Sequence, residues 1–175
     1  MKKIITVSLV AISALVFAQQ GGPAPVAATH GRGVAQSEDG RRGEFKFEAV
    51  KMMRENQARV RGNAEFTQVR TETVPGVKVS VREVALLGAQ GNVAEFGGPA
   101  IIILPPATVG GQPRRVEGRA NFRVVDRAQP NGGADQAKDL YRIHFENQNQ
   151  SLTFDFQGAV QRGDLVVRVN NGGGN

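Results

Sequence analysis

Cysteine and tryptophan are absent from the 175 residues, and tyrosine occurs once. Without cysteine the chain has no disulfide framework, no lipid-modified N-terminal cysteine, no thiol nucleophile and no thiolate zinc site. Stability must then rest on an apolar core. Histidine occurs only as His30 and His144, and two isolated histidines do not make a metal centre. No long hydrophobic run follows residue 17, and no helical period is sustained past it. Met52–Asn56 alone reads as a short turn of helix.

The N-terminus is different in kind. Lys2 and Lys3 precede an apolar stretch from Ile4 to Phe17, and Val16-Phe17-Ala18 has the small residues of a cleavage site. The stretch is shorter than the roughly 20 residues a bilayer requires, and no stop-transfer pattern follows. Residues 1–18 therefore read as a signal peptide, which implies a secreted, periplasmic or cell-surface product. The net charge of +6 comes from 22 basic against 16 acidic residues, and two of the lysines would leave with the leader.

Residues 19–43 are rich in Gly, Ala and Pro and lack apolar periodicity, which reads as a disordered spacer. Residues 171–175 read as a disordered tail, leaving 44–170 as the folded domain. There the period is two. Phe45, Phe47 and Ala49 alternate with charged residues, and so do Ala58, Val60, Ala64 and Phe66. The same beat runs through Val77–Val81, Val116–Val124, Tyr141–Phe145, Leu152–Phe156 and Leu165–Val169. Pro75-Gly76, Gly88–Gly91, Gly97-Gly98-Pro99, Gly110-Gly111, Pro130–Gly133 and Arg162-Gly163-Asp164 carry turn chemistry. The fold class expected is all-β, an antiparallel β-sandwich or flattened β-barrel of about eight or nine strands.

Two places break the alternation. Glu83 shares parity with Val81, and a bulge there would place Val84, Leu86, Ala94 and Phe96 in one apolar set. Ile101–Leu104 is continuously apolar between Pro99 and Pro105-Pro106, so it should be covered rather than left as an edge. Gly62, Gly118 and Gly158 fall inside strand patterns and mark bulges or bends where the sheet curves.

From Gly43 onward, an ordered series of fragments resembles the post-COAP domain family of secreted bacterial all-β modules. The fragments are Gly43–Phe47, Arg61–Phe66, Gly91–Gly98, Phe122–Asp126, Asp139–Ile143 and Gly163–Val167. The resemblance implies an exported all-β module, often found beside anchoring modules, and carries no catalytic residues. This chain has only the expected spacer ahead of the domain.

Candidate sites are few. Asp126, Asn131, Asp135 and Asp139 surround a glycine-rich stretch and supply oxygen ligands of the kind calcium takes. Their spacing fits no calcium loop, Arg127 and Lys138 oppose a cation, and such residues commonly cap turns. Arg115, Arg119, Arg123 and Arg142 fall on outward faces, with Arg59, Arg61, Arg82 and Arg168, and are candidates for binding an acidic surface. Glu65, Glu117 and Asp155 interrupt that set, so cross-strand ion pairing is the competing reading. His144 has no serine arranged near it in the manner of a triad. The chain implies no catalytic residue, no cofactor and no metal ligand beyond the calcium candidate. Its function reads as a non-catalytic module that acts through its surface on a cell-surface or extracellular polymer, nucleic acid being disfavoured. The alternatives are a barrel carrying a small apolar ligand and, third, a hydrolase.

Overall fold

The computed structural model describes residues 25–54, 57–108, 110–127 and 138–170. The expected signal peptide and tail, together with Asn131 and Asp135, lie outside them. The described residues form nine strands and no helix. These are β1 (Pro25–Gln36), β2 (Arg42–Arg54), β3 (Gln57–Gln68), β4 (Val77–Val81), β5 (Leu86–Gln90), β6 (Val93–Leu104), β7 (Arg114–Val125), β8 (Leu140–Asn147) and β9 (Thr153–Val169).

Every pairing is antiparallel. The circuit β1-β2-β3-β4-β6-β7-β8-β9 closes on itself, because β9 pairs with β1 and β4 pairs with β6. The result is a closed eight-stranded barrel, with β5 added alongside the first half of β6. A sandwich would leave the two sheets unconnected by such a ladder, and that alternative falls.

The alternation predicts the inside correctly. Phe45, Phe47, Phe66, Phe96, Phe122, Tyr141, Ile143, Phe145 and Phe156 are all buried. Their rings interlock around Tyr141: the Phe45 ring stacks on it at 4.5 Å, and Phe66, Phe47 and Phe122 follow at 5.8, 6.2 and 6.3 Å. Charged residues occupy the outward positions of the same strands. This is the reverse of a membrane-spanning barrel, whose outer band is apolar. Each buried phenylalanine is worth about 3–5 kcal/mol against alanine.

The spacer expected over 19–43 is the main correction. Residues 25–36 form β1, paired along its length with β2 on one side and β9 on the other. Ser37–Arg41 makes the turn into β2, with Gly40 at φ 84° and Asp39 accepting from the Ser37 hydroxyl and from Arg41 Nε. The alternation in β1 is one of size. Ala27, Thr29, Gly31 and Ala35 face inward and are buried. In register, Gly31 lies opposite Phe47 and Gly33 opposite Phe45. A Cβ on Gly31 would stand 2.6 Å from Phe47 Cζ, and one on Gly33 3.1 Å from Phe45 Cζ. The rings of β2 lean over the bare backbone of β1 and shield it from water.

Other expectations shift by smaller amounts. The bulge expected at Glu83 does not form: β4 ends at Val81 and Arg82–Ala85 connects it to β5, with Val84 buried, its N–H donating to Gly62 O, and the Ala85 N–H donating to Gly97 O. Beyond it Leu87 faces the core and Leu86 is 41% exposed, so Leu86 leaves the expected apolar set. Gly97-Gly98-Pro99 is not a turn but the middle of β6, where its partner changes from β5 to β4. Gly98 leaves room there for the Glu83 carbonyl of the β4–β5 connection. Arg162-Gly163-Asp164 likewise lies within β9, with Gly163 at φ 113°.

Ile101–Leu104 is a central segment flanked by β4 and β7. Met52–Arg54 is strand, so the helical turn expected there does not form, and Ala58 is exposed rather than inward. No register shift falls at Gly62, Gly118 or Gly158, so the bulges expected there are absent; each glycine instead lies against neighbouring backbone that a Cβ would strike, and Gly62 has φ 151°.

Gly31→Val should therefore lower stability by about 2 kcal/mol or more through overpacking against Phe47. In a Phe47→Leu background the added cost should shrink, giving a coupling of about 1 kcal/mol in urea denaturation. Strict additivity would show that the two residues do not share the space.

Candidate functional site

The outer face of β6, β7 and β8 brings together the arginines singled out in the sequence. Arg115, Arg119 and Arg123 lie along β7, and Arg123 is directly opposite Arg142 of β8. Carboxylates are threaded between them. Arg123 pairs with Glu95 of β6 at 2.8 Å, and Arg142 approaches Asp155 of β9 at 3.8 Å. Arg119 sits opposite Glu146 in register. All of these side chains are at least a third exposed, so each pair is worth about 1 kcal/mol at most. The face is a charge ladder rather than a uniformly cationic patch.

His144 lies in the same ladder. Its Nδ1 is 2.9 Å from Asp155 Oδ1, and its Nε2 is 3.9 Å from Glu146. A histidine bonded to a carboxylate is half of a hydrolytic triad, but the register neighbour across β7 is Asn121, not a nucleophile. Ser151 bonds Asn149 in the β8–β9 hairpin, and Ser80 lies on β4, which pairs with neither β8 nor β9. The pair stands on the outer face of the sheet, its side chains 36% and 54% exposed.

Of the four residues in the calcium candidate, Asp126 and Asp139 are described. They stand at the two ends of the β7–β8 connection and spend their oxygens on backbone donors. Asp126 Oδ2 accepts from the Val167 N–H at 3.1 Å, and Asp139 Oδ1 from the Arg127 N–H at 2.7 Å. The Asn92 side chain donates to the Asp126 carbonyl, and the Val160 N–H to the Asp139 carbonyl. This is a capping arrangement. It fastens the connection to the edge of β9 beyond the reach of β8, whose pairing ends at Ala159. Among the described residues, no three His, Asp or Glu side chains converge as metal ligands.

The contribution of Asp164 was not legible in the sequence. It lies on β9, opposite Arg32, and bears electrostatically on Asp126. Burial chiefly, helped by the Asp139 and Asp164 carboxylates, raises Asp126 above its ordinary value, against the pull of the Val167 N–H.

A broad open depression lies on the outer side of β1, β2 and β3, lined by His30, Arg32, Lys46 and Glu65 among others. Inside the barrel the one polar oddity is Tyr141, whose hydroxyl is fully buried with no protein partner among the described residues. Burial holds that phenol in its neutral form.

No family model, curated protein or solved structure matches the chain.

The raised Asp126 fixes a sign. The folded state holds that proton more tightly than the unfolded chain, so the contribution is present below pH 3.8 and is lost as pH rises through the folded value. Wild type should therefore lose stability relative to Asp126→Asn across that window in denaturation at stepped pH. A relative gain would mean the carboxylate is stabilised as an anion.

Proposed function

We propose that the chain is an exported, non-catalytic β-barrel module that works through its outer surface, in binding or extracellular structure. The observation that supports this most is the filled interior. Rings from β2, β3 and β7 pack around Tyr141 of β8 at centroid distances of 4.5–6.3 Å, where a carrier of the same strand number would keep a cavity. The reading of a hydrolase loses support from the open setting of His144 and Asp155. Export rests on the leader, and the likeness to post-COAP domains fits an accessory module of this kind.

The carrier reading retains one point in its favour, the unpartnered Tyr141 hydroxyl, which would anchor a polar end of an otherwise apolar guest. The two separate in one experiment. On the surface reading, Tyr141→Phe is neutral or stabilises by about 1 kcal/mol, because it removes a buried donor with no acceptor. Fatty acids and other apolar small molecules should then leave the melting temperature unchanged. A one-to-one complex with such a ligand, weakened by Tyr141→Phe, would replace this reading with the carrier.

A further inference from the structure

The β2–β3 hairpin runs past the end of the barrel. Its two strands stay paired out to Arg54 opposite Gln57, yet β3 pairs with β4 only over Ala64–Gln68. Beyond that, the Val84 N–H reaches it at Gly62. Ala49, opposite Gly62, is fully buried, whereas Met53, Ala58 and Arg59 are exposed. The projecting part carries apolar groups on both sides. Val50 and Met52 share one face with Ala28 of β1, and Met53 and Ala58 lie on the other.

Cations frame this apolar end. In register, Arg168 of β9 and Arg61 of β3 flank Ala28 and Val50, and Arg59 lies opposite Met52. Lys51 adds a further charge, and Glu55 is the one acidic residue in sequence 50–61. Among the described residues, no carboxylate forms an ion pair with Arg59, Arg61 or Arg168. The contrast with Arg123 and Arg142, each matched to a neighbouring carboxylate, is direct.

From this juxtaposition we propose that the hairpin end of the barrel binds an anionic membrane surface. The proposal rests on the surface reading above and names its partner. Half-buried Met52 beside unpaired arginines on one face of the hairpin, with exposed Met53 on the other, suits the boundary between headgroups and acyl chains. A soluble polyanion would answer the arginines but leave Met53 in water. The chain path agrees, because Pro25 lies opposite Met52 at this same end. Residues 19–25 span at most about 25 Å, so a leader engaged with a bilayer during export would hold this end against it.

The test uses the chain from Gln19 onward, which contains every strand of the barrel. Its partitioning is measured by co-sedimentation with phosphatidylglycerol vesicles and with phosphatidylcholine vesicles, at low and high salt. Binding should favour phosphatidylglycerol and fall with salt. The Arg59→Gln/Arg61→Gln double variant should bind about 30-fold more weakly, since each basic residue near such a surface contributes about fivefold. Met53→Ser should weaken binding severalfold, and Arg142→Gln, on the far face, should leave it unchanged. Melting curves for these exposed substitutions should overlay wild type.

Absence of binding at low salt, equal binding to both vesicles, or indifference to the double variant would overturn the proposal. So would capture by a soluble polyanion without vesicle binding, although the surface reading would survive. Failure of that reading itself would appear instead as the small-ligand complex described above.

Discussion

The barrel depends on a steric allowance, the missing side chains at Gly31 and Gly33. These two positions face the interior directly beneath Phe47 and Phe45. Phe45 stacks on Tyr141 and Phe47 tilts against Phe96, which stacks in turn on Phe122. A side chain on β1 would displace the first rings in this series, and each ring bears on the next. Close packing leaves little slack to absorb such a shift. Glycine ordinarily weakens a strand, and here the ring above supplies the covering that its own side chain lacks.

The same allowance explains what the sequence could and could not reveal. Within β2, β4, β7, β8 and the second half of β3, apolar or small residues recur every second position, so those inward faces were legible directly. In β1 the inward residues are Ala, Thr and Gly, whose hydrophobicity differs little from that of their outward neighbours. The usable signal was a beat of small residues matched to the phenylalanines of the next strand. It is visible only once two strands are compared. Gly97-Gly98-Pro99 misled for a related reason. Those glycines serve close contact with the β4–β5 connection and the neighbouring strand, and a single segment cannot distinguish that from a turn.

The surface was partly legible. Outward arginines on β7 and β8 were placed correctly, and their interleaving with carboxylates followed from the same alternation. Asp126 and Asp139 drew notice as possible cation ligands because of their chemistry, but their partners are backbone amides 41 and 12 residues away. Asp164 went unnoticed because its effect on Asp126 exists only after β9 folds beside the β7–β8 connection. Long-range pairing of this kind leaves no local mark. A filled core, paired charges on one flank and unpaired charges around a partly apolar hairpin at one end together direct attention to the outside of the barrel.

Amide hydrogen exchange along residues 27–35 tests the central claim most directly. If β1 completes the barrel, its paired amides should exchange only through global opening, with protection equal to that of β8 and β9. Exchange of this segment at the rate of an unstructured chain, while β8 and β9 stay protected, would show that the barrel closes without it and that the account is wrong.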